Sequence, residues 1–236
     1  MPMILSIETA TRVCSVAIHK EGELLGMLES EHENSHSSEL TVLVERLMKQ
    51  LHLSPSDFSA VAVSEGPGSY TGLRIGLSVA KGFCYALEIP LILVRTLHGI
   101  AMNALSESKN LFTEHSLILP MIDARRMEVY SAVYNQNLEL LEEVKAEIIQ
   151  ENSYQSWLNS GFVLYLAGDG AQKCRSLLGH LENVRFVNNV RCSADGIGKL
   201  AWGKYQRNEF ADLAYSEPFY LKEFTAASPK VKGLYE

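Results

Sequence analysis

A short apolar run that breaks on glycine and restarts with helical spacing constrains this chain more than any other stretch. Residues 61–87 read VAVSEGPGSYTGLRIGLSVAKGFCYAL. Val61, Ala62 and Val63 are apolar on both sides of an extended chain, as in a strand covered on both faces. Gly66, Pro67 and Gly68 end the run in a tight turn, since glycine tolerates positive φ and proline fixes φ near −65°. Ser69 and Thr71 are N-cap residue types. From Gly72 the spacing is helical: Gly72, Gly76 and Ala80 form a narrow face of small residues, and Leu73, Leu77 and Cys84 widen it into an apolar stripe. Each glycine inside a helix costs about 1 kcal/mol relative to alanine, so this face implies close packing.

The loop itself reads two ways. It is an anion cradle at a helix N-terminus, or it is a tight turn that only shapes packing. GPGSYTG is neither the dinucleotide fingerprint nor a Walker A loop nor a nucleophile elbow.

The rest of the chain places this unit in a duplicated pattern. Residues 3–8 (MILSIE) form a strand ending on Glu8, and residues 13–19 (VCSVAIH) return after a turn. A third strand covers Leu24–Leu28. Leu40, Leu43, Val44, Leu47, Met48 and Leu51 then follow at the spacing of an amphipathic helix. After the central helix come a strand over Ile89–Val94 and a helix over Thr96–Leu105. Residues 117–123 (LILPMID) repeat the opening strand and end on Asp123, and residues 128–134 (EVYSAVY) return. Val163–Ala167 with Gly168-Asp169-Gly170 repeats the strand and glycine loop. Two such copies predict two lobes, residues 1–105 and 106–236, divided at the polar stretch 106–114. A helix over Asp195–Tyr205 is placed in the C-terminal part, whose last segment packs back on the first lobe.

Composition narrows the function classes. The 236 residues are 47% hydrophobic with a net charge of −7. That is enough apolar content for a real core, and the wrong sign for a free-standing nucleic-acid binder. No apolar run reaches the 18 residues of a membrane span, and residues 1–10 lack the pattern of a signal peptide. Cys14, Cys84, Cys174 and Cys192 lie far apart without a C-x-x-C pair, which points to free thiols in a reducing compartment. The segment His32-Glu33-Asn34-Ser35-His36 spells H-E-x-x-H, a zinc-peptidase motif when it lies within one helix. Here the cap-type residues Asn34 and Ser35 precede the apolar periodicity, so a helix-start histidine is the competing reading.

Five segments carry a family resemblance: ILSIETATRVCSVAI, NSHSSEL, GPGSYTGLRIGLSVAKG, IDARRMEVY and EPFYLKE. In this order, from Ile4 to Glu223, they resemble the TsaB family, also called YeaZ. The pairing of GPGS[FY]TGLRIG with DAR-x-x-EVY is specific to it. The resemblance implies an actin-like (ASKHA, RNase H-like) α/β fold of two lobes in a cytoplasmic protein. It implies a non-catalytic partner of the threonylcarbamoyl transferase TsaD that works with the ATPase TsaE. That system makes N6-threonylcarbamoyladenosine beside the anticodon of tRNAs reading codons that begin with A, from a donor made by TsaC. It further implies self-pairing, contact with tRNA only through the complex, and ATP and a metal ion on partner subunits with no cofactor on this chain.

Within that frame Glu8 departs from the aspartate commoner in the family, and Thr9-Ala10-Thr11 lacks the glycine of a phosphate hairpin. Glu8 therefore reads as a solvated or capping carboxylate at a strand end. Asp123 and Arg125 either clamp a ligand or form a salt bridge that holds their turn. Only His36 of H-E-x-x-H matches the family pattern. The partner seam implied for the first two helices is Leu40, Val44 and Leu47 with Leu73, Gly76, Leu77, Lys81 and Tyr85. An enzyme in its own right, using His32, Glu33 and His36 or acting as a metal- or ATP-dependent transferase, is the alternative. A homodimeric interaction module without a tRNA role is a third reading.

Overall fold

Strand β1 (Met3–Glu8) is buried along nearly its whole length, because helices cover both sides of its sheet. In the computed structural model, which describes residues 1–31 and 36–222, β1 pairs antiparallel with β2 (Cys14–Lys20), and β2 with β3 (Glu23–Ser30). Helix α1 (His36–Leu51) turns Leu40, Leu43, Val44 and Leu47 inward. Strand β4 (Ala60–Gly66) then joins β1 in parallel, Ile4 opposite Ala60 and Ile7 opposite Val63. Helix α2 (Tyr70–Leu87) follows it. Ser69 caps α2, its side chain accepting from Gly72 N at 3.2 Å, and Glu88 closes the helix with φ 55°. Strand β5 (Leu91–Arg95) completes a sheet of order β3-β2-β1-β4-β5.

Helix α3 (Thr96–Glu107) leads to the second sheet, built from β6 (Ser116–Asp123), β7 (Glu128–Asn135), β8 (Leu140–Ile148), β9 (Val163–Ala167) and β10 (Val184–Phe186). Its order, β8-β7-β6-β9-β10, repeats that of the first sheet strand for strand. The short helices α4 (Gln155–Asn159), α5 (Asp169–Lys173) and α6 (Arg175–Leu178) lie between its strands in sequence, and α7 (Ala194–Gln206) ends the regular structure. The duplication expected from the two carboxylate-ended hairpins is thus a duplication of topology.

The two halves exchange helices. Helix α3 packs on β6, while α7 returns to the first sheet and lies across β1, β2, β4 and β5. Ile197 and Ala201 of α7 share a core with Ile4, Ala60, Ala62, Ile92 and Val94. Helices α1 and α2 cover the opposite face, around Leu5, Ile7, Val16 and Val63. A further cluster bridges the sheets, joining Ala10, Leu73 and Leu97 to Ile118, Ile122, Tyr134 and Ala167. Among the described residues, no helix is long and apolar enough to cross a membrane.

The segment after α7 runs back over the first lobe. Ala211 bridges Leu91, Lys81 donates to Ala214 O at 3.2 Å, and Phe219 N donates to Glu65 O at 2.6 Å. Tyr220 stacks on Tyr70 at 4.5 Å between ring centroids, and the Arg95 guanidinium lies 3.8 Å over the Phe219 ring. Lys222 then pairs with Glu128 of the second sheet at 2.5 Å.

Candidate functional site

The β1–β2 turn, the β9–α5 loop and the segment 187–192 line a cleft of about 410 Å³, whose walls include Thr11, Arg12, Gly168, Asp169, Gln172 and Cys192. Glu8 lies beneath it at the end of β1. It is not solvated: it is 1% exposed, and its Oε1 accepts from Ala10 N at 2.7 Å and from Ser64 Oγ at 2.7 Å. The capping half of the sequence expectation holds and the solvated half is corrected, because β4 carries Ser64 directly alongside. Burial pushes the Glu8 carboxyl up to about 7, against the downward pull of those hydrogen bonds and of the Cys192 thiol. Oε2 has no nitrogen or oxygen partner among the described residues. The thiol of Cys192 is itself raised, first by burial and then by the nearby carboxylates.

The glycine loop serves the turn between β1 and β2. Ser69 N donates to Ala10 O at 2.6 Å, and Thr9 Oγ1 donates to Gly72 O at 2.8 Å. A Cβ on Gly72 would stand 2.1 Å from Thr9 O, one on Gly76 2.3 Å from Thr9 Oγ1, and one on Gly68 2.4 Å from Ala10 O. The small-residue face therefore admits the chain's own β1–β2 turn. Of the two readings of the loop, the packing turn describes these contacts. Thr71 lies on the exposed side of the first turn of α2.

This corrects the partner seam. Leu40, Val44, Leu47, Leu73 and Leu77 are each 5% exposed or less, and Gly76 is buried against Thr9. They face the sheet because α1 packs on β2 and β3, and α2 on β4. Of the residues placed in the seam, only Lys81 and Tyr85 reach the surface, Tyr85 being 80% exposed.

Asp123 ends β6 as Glu8 ends β1, but at the surface. Its Oδ1 accepts from Arg125 N at 2.7 Å and from Lys173 Nζ at 2.6 Å. Partial burial pushes this carboxyl up, but Lys173, the Arg125 amide and the charge of Arg12 together hold it below its ordinary value. The salt bridge that holds the turn is therefore made with Lys173, and Arg125 contributes its backbone. Asp169 accepts from Asp123 N at 3.2 Å, and desolvation in the cleft raises its carboxyl. Sequence reasoning missed Ser64, Lys173 and Cys192, which carry no motif and reach the site only through the fold.

Of the H-E-x-x-H segment, His32 and Glu33 lie outside the described residues. His36 is the first residue of α1, and its Nε2 bonds Thr11 O at 3.0 Å. Among the described residues no group of histidine, cysteine and carboxylate side chains is placed to hold a metal ion.

These features fit known relatives. The TsaB protein of Bacillus subtilis, named for tRNA threonylcarbamoyladenosine biosynthesis, is 33% identical over 225 residues, which cover 93% of this chain and 93% of that protein. The chain belongs to the TsaB family. The family model of TsaD, tRNA N6-adenosine threonylcarbamoyltransferase, matches residues 13–220. YeaZ from Pseudomonas aeruginosa superposes with a TM-score of 0.79 at 25% identity, over 94% of this chain and all of that one. The activator of 2-hydroxyisocaproyl-CoA dehydratase from Clostridium difficile, solved with ADPNP, shares the fold at a TM-score of 0.51 and 11% identity, over 89% of this chain and 98% of that one. The fold is the two-lobed actin-like arrangement.

The β1–β2 turn of this TsaB-family chain is bonded to the chain's own strand end and glycine loop. Ala10 N is bonded to Glu8, Ala10 O to Ser69, and the Thr9 hydroxyl to Gly72. Two donors of the turn, the Ala10 amide and the Thr9 hydroxyl, are thus engaged within the chain, and the carboxylate beneath them is buried.

Proposed function

We propose that this chain is a non-catalytic partner of a TsaD-type transferase in forming N6-threonylcarbamoyladenosine next to the anticodon of tRNAs that read codons beginning with A. Membership of the TsaB family supports the pathway, and the match to the TsaD model supports a paired architecture of related subunits. The observation that supports the non-catalytic part is the internal commitment of the strand end and turn beneath the cleft: Glu8, Thr9 and Ala10 bond to Ser64, Gly72 and Ser69. General acid–base or phosphoryl chemistry needs such groups turned toward a substrate. In this reading ATP and the metal ion belong to the partner subunits, TsaD is the direct partner, TsaE joins the assembly, and the chain works in the cytoplasm.

The partner surface then lies on the outer sides of α1 and α2, around Val42 and Tyr85, and not on the buried stripe. Val42 is 47% exposed, and Lys81, one turn before Tyr85 on α2, donates to Ala214 O beside the exposed Tyr215. The test is threonylcarbamoylation of tRNA in a reconstituted mixture of TsaC, TsaD and TsaE, with and without this chain. Activity that needs the chain is the expected result. Full activity without it refutes the proposal.

A further inference from the structure

The turn between β6 and β7 holds two arginines in an arrangement that stability alone does not call for. Arg125 and Arg126 follow one another in the left-handed region, at φ 73° and 49°. Side chains rarely adopt that conformation, and glycine or asparagine is the usual occupant. The turn is nevertheless held firmly. Ala124 N donates to Glu128 O at 3.1 Å, and Glu128 N to Arg125 O at 3.1 Å. Lys173 reaches across from α5 to Asp123, to Arg126 O at 3.0 Å and to Glu128 O. Both arginine side chains are exposed, and among the described residues neither guanidinium has a hydrogen bond or an ion pair.

The charges around the turn sharpen the point. Asp123 is neutralised by Lys173 at 2.6 Å, and Glu128 by Lys222 at 2.5 Å. Each carboxylate flanking the turn thus has its own lysine, which leaves the two guanidiniums as uncompensated positive charge. They stand on a chain whose net charge is −7.

A guanidinium presents paired N–H groups that match phosphate oxygens two at a time. Two of them, adjacent on a stiff and outward-facing turn, suit a chain of phosphates passing over the surface better than a small anion, which needs enclosure. An acidic protein can meet a polyanion only where cationic charge is concentrated in this way. We propose that the Arg125–Arg126 turn contacts the phosphodiester backbone of RNA, so that this chain itself touches tRNA inside the modifying complex. The inference rests on the function proposed above.

The test uses the full chain assembled with TsaD, TsaE and TsaC, and measures tRNA binding across a series of salt concentrations. Arg125→Gly with Arg126→Gly removes both charges while giving the backbone a residue at ease with positive φ. Arg125→Lys with Arg126→Lys keeps the charge. We expect the glycine pair to weaken tRNA binding about tenfold and to lower the salt slope by about 1.5, since each lost phosphate contact removes about 0.7–0.9. The lysine pair retains most of that slope, and both variants assemble like the wild type. An unchanged affinity and slope in the glycine pair overturns the assignment while the proposed function stands. Loss of assembly makes the turn a protein contact and likewise overturns it. Saturation of the turn by inorganic phosphate, with tRNA binding unaltered, makes it a small-anion site and refutes the RNA assignment. A wild-type complex that neither needs this chain nor modifies tRNA overturns the proposed function, and this inference with it.

Discussion

Replacing Glu8 with glutamine should abolish a pH dependence of stability that this one carboxyl imposes. Glu8 is buried, and burial pushes it up to about 7 from the ordinary 4.5. A carboxyl whose folded value exceeds its unfolded value supports the folded state at low pH. That support is withdrawn as the pH rises from the unfolded value through the folded one. The difference corresponds to about 3 kcal/mol, fully lost above pH 7. Glutamine keeps the shape of the side chain. Its oxygen can take the hydrogen bonds from Ala10 N and Ser64 Oγ. Its amide takes the place of Oε2, which has no nitrogen or oxygen partner among the described residues. Urea unfolding at pH 5, 6, 7 and 8 reads the effect. The stability of Glu8→Gln relative to wild type should climb by about 1.4 kcal/mol for each pH unit through this range, levelling off above pH 7. A constant difference between the two proteins from pH 5 to 8 would mean that Glu8 is ionised in place, and the burial argument would be wrong.

Gly72→Ala should destabilise the fold by about 2 kcal/mol despite its better helix propensity, because the new methyl group meets Thr9 O and the α2–turn contact must open; chemical denaturation checks the sign. Leu77→Asp should cost about 4 kcal/mol or more by placing a charge in the core, whereas Tyr85→Asp should leave stability within about 0.5 kcal/mol and abolish TsaD pull-down. Both are measured by thermal melts alongside the pull-down. Lys173→Met should return the Asp123 carboxyl toward its ordinary range, seen as an upward shift in a carbon-detected NMR titration, since the lysine is the strongest of the groups drawing it down.

The parts of the fold written in strongly apolar sequence were legible. Strand β1 begins and ends where its apolar run does, and β9 likewise. Strand β8 was not foreseen, because LLEEVKAEI carries four charges. The fold tolerates them on an edge strand, where Lys145 pairs with Glu142 and Glu147, and Trp157 donates to Glu142 at 3.2 Å. Nor was the direction of the glycine face on α2 legible. Close approach was evident from Gly72 and Gly76, but a backbone from the same chain and one from a partner demand the same small residues. The pairing of Glu8 with Ser64 and of Asp123 with Lys173 spans 56 and 50 residues. No local pattern encodes such contacts. The two arginines at positive φ were hidden for the opposite reason: their residue type argues against the conformation they hold.

The return of α7 to the first sheet sets a timetable for synthesis. The five strands of that sheet are complete in the nascent chain once Arg95 has emerged, yet one face still lacks Ile197 and Ala201. At about 5–20 residues per second, the ribosome needs several seconds or more to supply the missing helix. Throughout that interval Ile4, Ala62 and Ile92 stand uncovered. The chain cannot mature one half at a time. It closes only when its distant end arrives, and a nascent polypeptide halted before α7 should be a client for chaperones and proteases.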